Sequence, residues 1–167
     1  KVSYSFKASS PYLASGGSTY LKVKSYMGKG HGYWMLSSGM YSTSLKTLKS
    51  KGTKQIFLHS YAINNYGRSA VSSWIKQANR YGMKVHIWVQ VFYNGKWVAP
   101  IKNDGSLDYG YMKKKAAEVV SYAKMSRVSG VHLDYVRFGG TAANYENSVN
   151  AVNYFVKKVC SEVRKVK

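Results

Sequence analysis

The hydrophobic and polar positions from about residue 32 onward fall into a repeated alternation of short apolar runs and helical stripes. "GYWMLS" (32–37) reads as a strand, followed by a short helix over Leu45 and Leu48 and a second strand in "QIFLHS" (55–60). A helix with Ala70, Val71, Trp74, Ile75 and Ala78 on one face precedes the long strand "KVHIWVQVFY" (84–93). A loop containing "NGKWV" and "NDGSLD" leads into a helix with Met112, Ala116, Val119 and Ala123 on one side. "GVHLDYVRF" (130–138) is the fourth strand, and a last helix is expected to bury Val149, Val152, Val156, Val159 and Val163, with Cys160 among them as a buried thiol.

Four units of strand and helix predict an α/β fold with right-handed crossovers and a parallel sheet. Two architectures satisfy that pattern, an open doubly wound sheet and one half of a β/α barrel. Neighbouring side chains on a strand point to opposite faces. In the third strand Val85, Ile87, Val89 and Val91 share one face, while His86, Trp88, Gln90 and Phe92 share the other. In the fourth, Val131, Leu133 and Tyr135 oppose His132, Asp134 and Val136. A sheet covered by helices on both faces is apolar on both, so the polar and aromatic face favours half of a TIM barrel.

The first 31 residues lack this pattern. They are rich in Ser, Tyr, Gly and Lys, and "ASSPYLASGGS" carries turn signals, so residues 1–31 are expected to form an N-terminal extension or hairpin before a β/α domain over 32–167. A closed barrel usually needs roughly 250 residues, whereas this chain has 167. A homodimer or a second chain segment is therefore expected to supply the missing half. The chain begins at Lys1 and reads as a piece of something longer.

Charge narrows the choice of partner. Lys and Arg number 26 against 6 Asp and Glu, a formal net charge of +20, which favours an anionic partner. Many lysines, among them Lys113, Lys114, Lys115, Lys157 and Lys158, fall within helical segments and are expected on a solvated outer face. The one cysteine rules out an intrachain disulfide framework. No stretch suits a membrane span or a secretory h-region. No helix-turn-helix, RNA-binding sheet signature or zinc finger is visible, so no specific nucleic acid is expected.

"GMKVHIWVQVF" after a helix, with "SGVHLDYVRFGG" one unit later, resembles glycoside hydrolase families with TIM-barrel folds in the alpha-amylase and alpha-galactosidase assemblage. The likeness covers about residues 52 to 140, and "LDYVRFG" is its most specific part. The resemblance implies a sugar-processing protein with Asp134 as catalytic nucleophile and Arg137 helping to position it. The chain departs from the family pattern at Gly139, where a proline is usual, and in ending after the fourth helix.

Physical chemistry qualifies this implication. An unpaired buried carboxylate is costly, so a guanidinium such as Arg137, or a His, is expected beside Asp134. Glycosidases generally use two carboxylates. Glu146 follows the fourth strand and is the candidate partner, while Asp104 and Asp108 suit a loop and a helix N-cap, and Glu118 and Glu162 suit helix surfaces. A divalent-metal set of His59, His86, His132 and Asp134 is the metal-dependent hydrolase alternative, although their places in the strands put them at different heights.

A third reading is a non-catalytic carbohydrate-binding or cell-surface module. Aromatic residues make up 15% of the chain, and Tyr61, Tyr66, Trp88, Tyr93 and Trp97 are expected in or just after strand ends, where rings stack on sugars. His59, His86, Gln90 and His132 complete the expected substrate-binding set. The expectation is thus a glycoside-hydrolase-like domain at an extracellular or cell-surface location, acting on an acidic wall polysaccharide and needing no cofactor.

Overall fold

The computed structural model describes residues 30–137 and 147–167. It contains four parallel strands, β1 (His31–Met35), β2 (Thr53–His59), β3 (Lys84–Gln90) and β4 (Gly130–Asp134), hydrogen-bonded in the order β1-β2-β3-β4. Helices α1 (Gly39–Ser42) and α2 (Leu45–Ser50) connect β1 to β2, α3 (Tyr61–Arg80) connects β2 to β3, and α4 (Tyr109–Ala123) connects β3 to β4. Helix α5 (Ser148–Arg164) follows β4. The chain is an α/β protein of four βα units, as its periodicity predicts. The hairpin or extension expected over residues 1–31 lies outside the described residues up to residue 29.

The sheet has a helix-covered face and a second, distinct face. Ile56 and Leu58 of β2 and Val85, Ile87 and Val89 of β3 are almost fully buried with Leu48, Val71, Ile75, Met112, Ala116 and Val119 of the helices. Fully burying such side chains contributes roughly 1.5–3 kcal/mol each, which makes this layer the main source of stability. A strand order that follows the sequence without reversal needs every crossover on the same side. A doubly wound sheet reverses its order at a switch point, so the observed order is that of consecutive strands in a barrel.

Local signals set the helix ends. Ser44 caps α2 by accepting from the Thr47 N–H, and Asp108 caps α4 by accepting from the Tyr111 N–H. Helix α3 is interrupted at Gly67, whose backbone (φ 81, ψ 158) is not helical. A side chain is disfavoured at that φ, which is why glycine occupies the kink.

Three expectations need correction. Strand β4 stops at Asp134 instead of running through "YVRF", because Tyr135 turns into the left-handed region at φ 52. Strand β3 likewise ends at Gln90, before "VFY". Helix α5 is rotated from the expected face: Ala151, Phe155 and Val159 are buried, Val152, Val156, Val163 and Cys160 are half-buried, and Val149 is 68% exposed. The ring of Phe155 packs on Phe92 with centroids 5.2 Å apart.

Candidate functional site on the sheet face away from the helices

The face away from the helices is built in rows fixed by strand register. The lowest complete row is Trp34, Phe57, His86 and Gly130; the next is His59, Trp88 and His132; the last is Gln90 and Asp134. Rings occupy every position of the first two rows except Gly130. A Cβ on Gly130 would lie 3.0 Å from Nδ1 of His86, and one on Gly32 would lie 3.0 Å from the Phe57 ring. Glycine at these positions makes room for the neighbouring rings.

The face is concave. Trp34 of β1 stacks on Phe57 (4.6 Å between centroids) and meets His132 of β4 edge-on at 4.6 Å. In a flat sheet β1 and β4 would stand about 14 Å apart. The contact therefore needs curvature as well as side chains that lean across the face.

Asp134 stands at the C-terminal end of β4 and faces the concave side. Its Oδ2 accepts from the Trp88 indole N–H at 2.9 Å, and its Oδ1 accepts from the Tyr135 backbone N–H at 2.7 Å. Its carbonyl oxygen accepts from the Val91 N–H at 2.9 Å, tying β4 to the chain leaving β3. Arg137 is not ion-paired with Asp134. Its guanidinium lies 4.9 Å above the centre of the Trp97 ring, and Asp134 forms no ion pair among the described residues. The carboxylate is held by two neutral N–H donors instead.

The three histidines are interleaved with other rings. His86 stacks on Phe57, His59 meets Trp88 and Tyr61 edge-on, and His132 lies against Trp34 and Phe57. Burial pushes all three imidazoles below their ordinary range. At His59 the Gln90 side chain and the Asp134 charge oppose that shift, at His132 Asp134 opposes it, and at His86 the charges of His132 and Lys84 add to it. Nδ1 of His59 accepts from the Tyr61 N–H at 3.2 Å, which leaves the proton of the neutral ring on Nε2. Nε2 of His86 is buried and has no partner among the described residues.

No group of three His, Cys, Asp or Glu side chains among the described residues can hold a metal ion. The rows explain this for the expected set of His59, His86, His132 and Asp134. Trp88 stands between His59 and His132, while His86 is one row below them and Asp134 one row above.

The rim carries features that the strand pattern did not reveal. Tyr135 stacks on Tyr93 (4.9 Å between centroids, 22° between planes), and Trp97 approaches both rings, at 5.3 Å from Tyr135 and 5.5 Å from Tyr93. The Tyr61 hydroxyl donates to Oδ1 of Asn94 at 3.1 Å, linking the segments that follow β2 and β3. The grouping of Tyr93 with Trp97 was legible in "YNGKW", a turn that brings the two into an antiparallel bridge. The addition of Tyr135 was not, because strand alternation assigns that side chain to the helix-covered face.

The remaining described carboxylates have structural partners. Oδ1 of Asp104 accepts from both the N–H and the hydroxyl of Ser106, while Asp108 is the α4 cap. Glu118 pairs with Lys115, and Glu162 with Lys158 and Lys165. Glu146, the expected second carboxylate, lies outside the described residues.

No known protein family, curated protein or solved structure matches the chain.

Proposed function

We propose that the chain is a glycoside-hydrolase-like domain acting on an extracellular or cell-wall polysaccharide, with Asp134 as the nucleophile. The observation that carries this reading is the placement of Asp134. Among the described carboxylates it alone ends a parallel strand on the concave face, with one N–H donor on each oxygen and aromatic rings on both sides. Barrel enzymes place reacting groups at the C-terminal ends of strands. Aromatic rings offer apolar surface to the C–H faces of sugars, and the surplus of cations suits an acidic polymer.

Retaining hydrolysis requires a second carboxyl group to protonate the leaving oxygen while the nucleophile bonds to the anomeric carbon. Asp104, Asp108, Glu118 and Glu162 are engaged elsewhere. That count favours a second reading, a non-catalytic glycan-binding module built on the same face. Glu146, a further segment or a second copy of the chain would supply the acid in the enzymatic reading.

Release of new reducing ends from neutral and uronic-acid polysaccharides separates the two. Turnover that disappears in Asp134→Asn supports the enzyme. Glycan binding with equal background release from wild type and Asp134→Asn supports the module. Absence of both binding and release refutes both readings.

A further inference from the structure

Beyond β4 the backbone spends conformational energy to build a surface. Tyr135 adopts φ 52, a left-handed conformation that costs a non-glycine residue on the order of 1–2 kcal/mol. It is held there from both sides: its N–H donates to Asp134 Oδ1 at 2.7 Å, and its carbonyl accepts from the Phe92 N–H at 3.3 Å. The consequence is that its ring leaves strand alternation and lies on Tyr93, with Trp97 against both. Trp97 is 37% exposed. Arg137 is exposed, lies over Trp97, and has no ion pair or hydrogen bond with any described residue.

We infer that Tyr93, Trp97, Tyr135 and Arg137 form a subsite for an acidic sugar beside Asp134, the rings stacking on the sugar and the guanidinium binding its carboxylate. The inference rests on the glycan-acting reading above and names the substrate class of that site. An aromatic ring binds any sugar face, but a guanidinium with no ion pair among the described residues presents a planar fork matched to a carboxylate. An exposed guanidinium beside neutral rings fits a sugar that carries a carboxylate among apolar faces. A polynucleotide needs a track of cations along its phosphates. The rows of the concave face supply aromatic rings, Gln90 and histidines that burial keeps in the neutral form.

The test compares polygalacturonate, alginate and hyaluronan, each with the same polymer after reduction of its carboxyl groups to alcohols, by affinity electrophoresis at physiological ionic strength. Wild type is expected to bind at least one acidic polymer about tenfold or more tighter than its reduced form. Arg137→Ala removes that preference, Arg137→Lys restores part of it, and the charge-matched surface variant Lys157→Ala keeps it. Trp97→Ala weakens binding to both forms, and Trp97→Phe restores most of it; thermal melts confirm that each variant is folded. If Arg137→Ala behaves like Lys157→Ala while Trp97-dependent binding persists, the acidic subsite is refuted and the glycan reading stands. If neither form of any polymer binds, the glycan reading fails and the subsite with it. Tighter binding of a single-stranded oligonucleotide than of every acidic polymer also overturns the inference.

Discussion

The indole N–H of Trp88 on β3 donates to Oδ2 of Asp134 on β4 across 2.9 Å, so the carboxylate is oriented by a neutral ring from the adjacent strand. The Tyr135 N–H takes the other oxygen at 2.7 Å. Because both oxygens accept, an amide cannot replace the carboxylate without loss: its NH2 group would face one of the two donors. Asp134→Asn is expected to lower unfolding stability by about 1–3 kcal/mol while leaving the chain folded, and Trp88→Phe by a similar amount. Urea titrations measure both. Equal stability of wild type and Asp134→Asn would show that the carboxylate is not held as described.

The histidines of the concave face predict a pH dependence. Burial lowers the folded-state values of His59, His86 and His132 below the ordinary 6.5. Below that value the unfolded chain takes up protons that the folded chain does not, so unfolding is favoured. Their contribution to stability is complete above about pH 6.5 and is lost as pH falls from there through the folded-state values. Urea midpoints between pH 8 and pH 5 should show a plateau and then a decline. His86→Phe, which removes one titrating ring, should decline less steeply over the acidic part of that range.

The fold was legible where burial alone decides structure. Ile56, Leu58, Val85, Ile87 and Val89 alternate as a half-covered sheet requires, and Met112, Ala116 and Val119 repeat at helical spacing. The strand pattern put Asp134 inside a run from 130 to 138, and only the resemblance carried by "LDYVRFG" pointed to a strand end. Its partners were legible in neither. Trp88 is 46 residues away in sequence, and the contact depends on sheet register and curvature. Tyr135 was assigned to the helix-covered face because the strand pattern was extended past Asp134, whereas the backbone turns at Tyr135. A local positive φ in a tyrosine leaves no compositional mark, unlike the glycine at the α3 kink.

Packing on the concave face sets a third expectation. The contact between Gly130 and His86 leaves no slack, since an added Cβ would come within 3.0 Å of Nδ1, and His86 is itself stacked on Phe57. Gly130→Ala should therefore destabilise the protein by about 1–3 kcal/mol, as overpacking does. The double variant Gly130→Ala with His86→Ala should recover part of that loss if the clash is the cause. A neutral Gly130→Ala would show that the ring moves aside freely.

The strain at Tyr135 can be separated from its ring. Glycine adopts φ 52 without penalty, whereas alanine pays the same backbone cost as tyrosine. Tyr135→Gly and Tyr135→Ala both remove the stacking on Tyr93 and Trp97, so they differ mainly in the backbone term. Tyr135→Gly is expected to be the more stable of the two by about 0.5–1 kcal/mol, less than the full strain because glycine also gains freedom in the unfolded chain. In glycan binding the order should not matter: both variants lose the ring and should weaken equally. Alanine at least as stable as glycine would show that the turn after Asp134 carries no strain. Unequal loss of binding would show that the backbone, rather than the ring, shapes the subsite.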